Sequence, residues 1–351
     1  MRERSIDAGL SFRFDRSPDY FALHRAHAES HVTWLLLRRG TIVGTASAAI
    51  HDAYVDGAPL TVAYLADLRQ APDREVAGAW RAAAPAVLAE LKHEFGAAFA
   101  FCSILRDNRI GLASILRTRP GQPALRHLAG YRTVSVVGML PRLRRRRNNV
   151  EIRRATREDS EGLRFFADAC SRRLQFSPVF DRSTWTKRTE GWPDFDIGNF
   201  YISCDRQNRI VGCLAPWDAA PINRIVIDRL PPAADAIRRA ANAAAFVAGR
   251  PPIETGPGSH LKTVALSHLL IADRNPEVLT ELVRAAYADL RRAGRHSIVS
   301  LCLYDGDPLA AALKGTLRFS VPMDVYYLPL DAAAGALQTS GAWPGFEHYL
   351  V

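Results

Sequence analysis

The stretch LRQAPDREVAGAW, residues 68–80, lies where an apolar run, AYLADL, gives way to an alanine-rich helical pattern. TVAYLADL reads as a buried strand. Beyond it Trp80, Ala84, Val87, Leu88, Leu91 and Phe95 recur at the spacing of one helix face. Between them stand Pro72, the charged Arg74 and Glu75, and Gly78 among small residues. A strand that turns straight into a helix offers free backbone N–H groups and the positive end of the helix dipole, which suits an anion such as phosphate. The same residues also suit an ordinary helix start. Pro85 interrupts the helical pattern, where proline removes a hydrogen bond and bends the axis.

What surrounds this junction occurs twice. WLLLRRGTIVGTASA, from Trp34, reads as strand, turn and strand with Gly40 at the tip, and YISCDRQNRIVGCLAP, from Tyr201, repeats the layout and its Ile-Val-Gly. A short strand and a helix precede each hairpin: LSFRF then PDYFALHRAHAES, and VEIRRA then REDSEGLRFFADACSRRL. Downstream, TVAYLADL, its helix, AFAFCSIL, a short helix from Asn108 and YRTVSVVGML correspond to TVALSHLLIA, PEVLTELVRAAYADLRRAG, HSIVSLCLY, DPLAAAL and MDVYYLPL. Pro276 suits the first helical position and Gly294 the left-handed turn past the helix end. Each half therefore reads β-α-β-β-β-α-β-α-β. The expected division is residues 1–140, a basic linker over 141–149, and 150–351 with an irregular insertion from about 216 to 262.

This order of elements resembles the GNAT superfamily of acyl-CoA-dependent N-acyltransferases, and over nearly the full length it resembles the two-domain GNAT proteins of bacteria. The resemblance implies an α/β fold of two tandem GNAT-like domains, each a mixed, mostly antiparallel sheet flanked by helices. It implies that the strand end, Leu68, Arg69 and Gln70, meets the pantetheine arm of acetyl-CoA or another acyl-CoA. The family's pyrophosphate loop, Arg/Gln-x-x-Gly-x-Gly/Ala, falls on Arg74, Val76, Ala77, Gly78 and Ala79. Here Ala77 replaces the central glycine. Asn108 matches a position that touches pantetheine in the family, and equally suits a helix N-cap. The tyrosine that the family often carries seven residues further on, as the acid for the leaving thiolate, is Ile115 in this chain, which leaves Tyr131 or water. The second copy, LIADRNPEVLTEL, has no glycine between strand and helix, and reads as a degenerate unit.

Acyl transfer to an amine needs a base and a donor for the developing oxyanion. Asp67, a carboxylate within a buried-strand run, is the candidate base; amine anchor and ion-pair partner of Arg69 are the other readings. Trp217 and Asp218, with His268 on the matching strand of the second copy, form a candidate acceptor pocket for a cationic amine. A buried Trp packing the insertion explains the first two equally well. His51 and Asp52 either border the cleft or begin a turn. His24, His27 and His31 share a helix face without Cys or carboxylate companions in the sequence nearby, so no metal is expected.

Composition limits the alternatives. The chain has 351 residues, 48% of them hydrophobic, and two domains are expected at about 100–200 residues each. No apolar run approaches the roughly 20 residues of a membrane span, and MRERSIDAGLSF lacks the apolar core of a secretory signal. A cytoplasmic location is the expectation. The five cysteines include no CxxC pair, against a disulfide framework or zinc knuckle. A net charge of +10 favours phosphate-bearing partners, and PRLRRRRNN, residues 141–149, reads as a solvated connector. It has no interleaved aromatics for base stacking. The expected partner is a small-molecule or peptide amine acceptor, not nucleic acid or a membrane. Two rivals stay open: transfer from aminoacyl-tRNA, motivated by the charge, and a non-catalytic scaffold, motivated by Ile115 and Ala77.

Overall fold

The first hairpin forms as its alternation predicts. β3 (Ser30–Arg38) and β4 (Thr41–Val55) run antiparallel. They are joined by Arg39 and Gly40, whose φ values of 52° and 76° are both left-handed, as a two-residue turn between twisted strands requires. The computed structural model describes residues 6–7, 11–71, 73–108, 124–140, 150–247, 252–255, 259–331, 337, 343–345 and 347–350. The arginine run 141–149 and the segment after Asn108 lie outside these residues.

The first half continues with β5 (Ala58–Gln70), α2 (Arg74–His93), β6 (Phe99–Leu105) and β7 (Arg126–Met139), after β1 (Ile6–Asp7), β2 (Ser11–Asp15) and α1 (Ala22–His27). The second half comprises β8 (Glu151–Arg154), α3 (Ser160–Ser171), β9 (Ser177–Pro178), α4 (Arg182–Gly191), β10 (Tyr201–Cys204), β11 (Ile210–Trp217), β12 (Arg224–Arg229) and α5 (Pro232–Val247), then β13 (Thr263–Ile271), α6 (Pro276–Ala293), β14 (Ile298–Tyr304) and β15 (Thr316–Pro329). One sheet spans both halves in the order β3-β4-β5-β6-β15-β7-β14-β13-β11-β10-β8, with β9 on β4.

That order contains an exchange. β15, the last strand of the second half, lies against β6 of the first, and β7, the last strand of the first half, lies against β14 of the second. β7 and β15 pair with each other between them. A second departure from expectation concerns LSFRF. It forms β2, but β2 pairs with β12, inside the second half's insertion, and not with the first half's main sheet. The insertion is accordingly not irregular throughout, since it supplies β12 and α5.

The repeated Ile-Val-Gly has a packing cause. A Cβ on Gly44 would sit 2.5 Å from Trp80 Nε1 on α2, and one on Gly212 would sit 2.6 Å from Val278 Cγ1 on α6. In both halves a glycine lets the helix after the splayed strand cross the sheet closely. On α6, Leu279, Leu282, Val283 and Ala286 are buried against Leu214, Val264 and Leu301, the apolar stripe expected of an amphipathic helix. Asn275 caps its start, Pro276 opens it and Gly294 closes it in the left-handed conformation. α2 buries Leu91, with Val87, Leu88 and Phe95 packed alongside, against Ala48, Ile50 and Ala63, and it continues through Pro85.

Candidate active site at a splayed strand pair

β5 and β6 are parallel for only three residue pairs, Val62↔Phe99, Ala63↔Ala100 and Tyr64↔Phe101. Beyond Tyr64 the two strands separate. Three residues later β5 carries a bulge. Ser47 pairs with Ala66 and Thr45 with Arg69, so Asp67 and Leu68 together oppose Ala46. A bulge leaves its extra residue out of the ladder and re-aims it. Asp67 sits there at φ 54°, a left-handed conformation that Asp tolerates better than most residues.

The Asp67 side chain is held from one side. Arg16 Nη1 donates to its Oδ2 at 2.7 Å and His24 Nε2 lies 3.1 Å away. Both Arg16 and His24 are almost fully buried. Burial raises the carboxyl's affinity for a proton, but the His24 ring beside it and the Arg16 charge outweigh this and hold the group well below the usual carboxylate range. Such a carboxylate accepts protons poorly. Asp67 therefore anchors the bulge and is not placed to serve as the base.

The second half repeats the geometry. β13 and β14 are parallel for Thr263↔Ile298, Val264↔Val299 and Ala265↔Ser300, and three residues later His268 stands at φ 49° in the bulge between Leu270 and Ser267, opposite Cys213 and Ala215. The His268 amide donates to the Tyr349 hydroxyl at 3.3 Å, and that hydroxyl donates to Glu347 Oε1 at 2.5 Å. Arg188 is ion-paired with Glu347. At the turn into α6, Arg274 Nε donates to Asp307 Oδ1 at 3.1 Å. The amide at this bulge and the arginine at this helix start are thus both engaged within the chain.

Strand directions fix how the two splays relate. β6, β15, β7 and β14 alternate in direction, each being antiparallel to the next. β5 therefore runs opposite to β13, and the splays open toward opposite ends of the sheet.

The remaining candidates separate accordingly. Leu68 is exposed, and Arg69 and Gln70 continue the splayed edge, with Arg69 Nη2 3.8 Å from Asp67 Oδ1. Asp73 caps α2 by accepting from the Glu75 amide at 2.8 Å, and pairs with Arg38 Nη1 at 2.6 Å. Arg74 opens the helix; its side chain lies outside the described residues. Val76 is buried, the Ala77 amide donates to the Asp73 carbonyl at 3.1 Å, and Gly78 and Ala79 lie inside the helix. A Cβ on Gly78 would meet only Arg81, at 3.9 Å. The Asn108 amide donates to the Leu105 carbonyl at 2.9 Å, and whatever it caps lies outside the described residues.

Three expectations need correction. Tyr131 is 1% exposed, with its hydroxyl 2.5 Å from Ser103 Oγ, and burial pushes its pKa well above that of a free phenol; enclosed in the core, it cannot protonate a leaving group. Trp217 is no pocket wall. Its ring stacks on Trp192 at 4.2 Å and its indole N–H donates to the Pro193 carbonyl at 3.2 Å. Asp218 turns instead to His296 Nε2, at 2.8 Å. Of the three acceptor candidates, His268 lines a cavity together with Leu174, Phe180 and Tyr304. Trp217→Ala is expected to cost about 3–5 kcal/mol, as large-to-small aromatic substitutions in cores do. A loss under 1 kcal/mol in urea unfolding would mean that the indole is not part of the core.

The three histidines do not share a helix face, since His24 and His27 lie on α1 and His31 on β3: His24 goes to Asp67, His27 packs against His51 at 4.9 Å, and His31 stacks on His24 at 5.6 Å. Among the described residues no group of three or more His, Cys, Asp or Glu is placed to hold a metal, and no helix is long and apolar enough to cross a membrane. Arg16, Glu347 and Tyr349 carry no local sequence signal, because their partners lie far along the chain.

Two units, each with a parallel pair that splays after three residues, a bulge and a crossing helix, make this a tandem GNAT fold. No family model matches the sequence, and no curated protein matches it. Among solved structures the chain is similar to a GCN5-related N-acetyltransferase from Sphaerobacter thermophilus, at 10% identity and a TM-score of 0.55, covering 88% of this chain and 82% of that one. It is also similar to Saccharomyces cerevisiae N-myristoyltransferase with bound myristoyl-CoA, at 11% identity and a TM-score of 0.54, covering 92% and 75%. At these identities the likeness is one of fold.

Proposed function

We propose that the chain is an acyl-CoA-dependent N-acyltransferase that moves an acyl group, acetyl in the simplest case, to a primary amine of a small molecule or peptide at the β5–β6 splay. The observation that carries the reading is the bulge at Asp67, three residues past the last parallel pair and anchored by Arg16 and His24. The strand edge from Leu65 to Gln70 fits the pantetheine arm, whose amides pair as an added strand does. The Asp67 amide is the donor for the thioester oxygen as charge develops there. The neutral amine forms the new C–N bond, the C–S bond breaks, and water carries the protons from the amine and to the thiolate.

The phosphates are the harder part to fit. The first turn of α2 is an anion site in principle, but Asp73 and Glu75 already place carboxylates there. Asp73→Asn keeps an equally good cap, removes one charge and releases Arg38. It is expected to tighten acetyl-CoA binding several-fold in calorimetric titration. Gly78→Glu has room to fold, replaces glycine within a helix at a gain of about 0.5–1 kcal/mol, and adds a charge beside the phosphates. It should weaken binding at least tenfold. If both variants bind acetyl-CoA like the parent protein, the phosphates are not at α2. If the parent protein binds no acyl-CoA of any chain length, the scaffold reading replaces this one; the carboxylates at the helix start are the observation that favours it.

A further inference from the structure

Each repeat has a place for a strand outside its first hairpin. In the second half β8 fills it, pairing antiparallel with β10, and all four residues of β10 are buried. In the first half the corresponding segment, β2, pairs with β12 instead. β3 therefore ends the sheet, and among the described residues no strand pairs with its outer edge. Helices cover its faces, not that edge: the Trp34 indole N–H donates to Glu90 Oε2 of α2 at 2.9 Å, and the His31 ring stacks on His24 of α1. Natural sheets blunt such edges with short strands, proline or charge. β3 is nine residues long and carries no proline and no fixed charge before Arg38.

Its apolar residues are displayed as well. Leu35 and Leu37 share a face and are more than half exposed, and Ile42, opposite Leu37 on β4, is exposed beside them. Outward N–H and C=O groups come from alternate residues of an edge strand, so two copies of one strand pair antiparallel only with residues of equal parity opposite each other. The register that overlaps the whole of β3 meets this condition. It sets Ser30 opposite Arg38, Val32 opposite Leu36, and Trp34 opposite its own copy on a two-fold axis. Leu35 then faces Thr33 and lies diagonal to the second Leu35, within side-chain reach. One residue past each strand end, Glu29 falls opposite Arg39, and symmetry makes this pair twice. Both residues are exposed; Lys187, whose charge reaches Glu29, donates to the Ala28 carbonyl.

We propose that this edge is covered by a second copy of the chain: the two β3 strands pair antiparallel about an axis at Trp34, with Glu29 of each copy against Arg39 of the other. The closed two-fold arrangement leaves no further β3 edge to extend. One strand pair is a small interface beside the roughly 1,200–2,000 Å² of stable complexes, so the dimer forms reversibly at micromolar concentrations. The inference does not rest on the acyl-transfer reading.

The test is sedimentation velocity of the full chain from sub-micromolar to several hundred micromolar concentration. The weight-average mass should rise from one chain to two and no further. Glu29→Lys and Arg39→Asp each set like charges opposite one another at both ends, and each alone should weaken association at least tenfold. Aspartate is at ease in the left-handed conformation of residue 39, and all the altered positions are exposed, so the fold is kept. Mixed in equal amounts, the two variants form opposite-charge pairs at both ends, and association should return to that of the parent chain within a few-fold. Leu35→Lys brings two ammonium groups together at the axis and should also abolish the dimer. The proposal is overturned if the parent chain stays monomeric throughout, if it grows past two chains, if all three variants associate like the parent, or if the mixture associates no better than either charge variant alone.

Discussion

Asp67→Ala is expected to lower the free energy of unfolding by about 3–5 kcal/mol, the range found when one partner of a buried ion pair is removed. The loss has two sources. Arg16, 5% exposed, keeps its charge without its carboxylate, and alanine is less at ease than aspartate at φ 54°. Asp67→Asn separates them, because asparagine retains the left-handed preference and loses only the charge. Urea unfolding at neutral pH should rank the parent chain above Asp67→Asn, and Asp67→Asn above Asp67→Ala. Equal stability of all three would mean that Arg16 finds other partners and that the bulge needs no anchor. Acyl-CoA binding should fall in the same order if the Asp67 amide takes the thioester oxygen.

The second large effect is acid lability that begins near neutrality. His27 and His268 are buried, and burial holds both pKa values well below the ordinary 6.5. The His51 ring, which packs against His27, is lowered to about 3. Each is neutral in the folded chain, whereas the unfolded chain takes up a proton near pH 6.5. The stability tied to these groups is therefore complete above pH 6.5 and is lost as pH falls toward the folded values. Each contributes a slope of about 1.4 kcal/mol per pH unit. Against a total stability of about 5–15 kcal/mol, three such groups bring unfolding well within the range of mild acid. Urea midpoints between pH 7.5 and pH 5 check this, and His51→Gln should flatten the slope by about one proton. A profile flat to pH 5 would mean that the histidines are reached by water.

What the sequence made legible was local. Alternation around Arg39 and Gly40 marked the first hairpin, and the recurring Ile-Val-Gly marked two equivalent strands before Gly44 and Gly212 were seen beneath Trp80 and Val278. Asn275, Pro276 and Gly294 carried the ends of α6 in their own chemistry. What it hid depended on distant pairing. Nothing near LSFRF indicates that β2 pairs with β12, some two hundred residues on. Asp67 could be singled out as a charge in an apolar run, but its role hangs on Arg16, 51 positions earlier. Trp217 beside Asp218 suggested a pocket, whereas β11 ends at Trp217 and the chain turns away after it, so that one side chain meets Trp192 and the other His296.

The exchange of β7 and β15 bears on how the chain came to be, and can be, divided. Each half lends its final strand to the other's sheet, so a polypeptide cut between residues 140 and 150 yields two fragments, each lacking the strand that covers its own edge. Neither fragment is expected to fold independently, because each displays an open strand edge, the kind of surface that seeks a partner. Expressed together, the fragments should find each other and restore the sheet; expressed alone, each should aggregate. The two copies look like separate modules in sequence yet share one sheet, which makes the junction a natural place to build a split reporter.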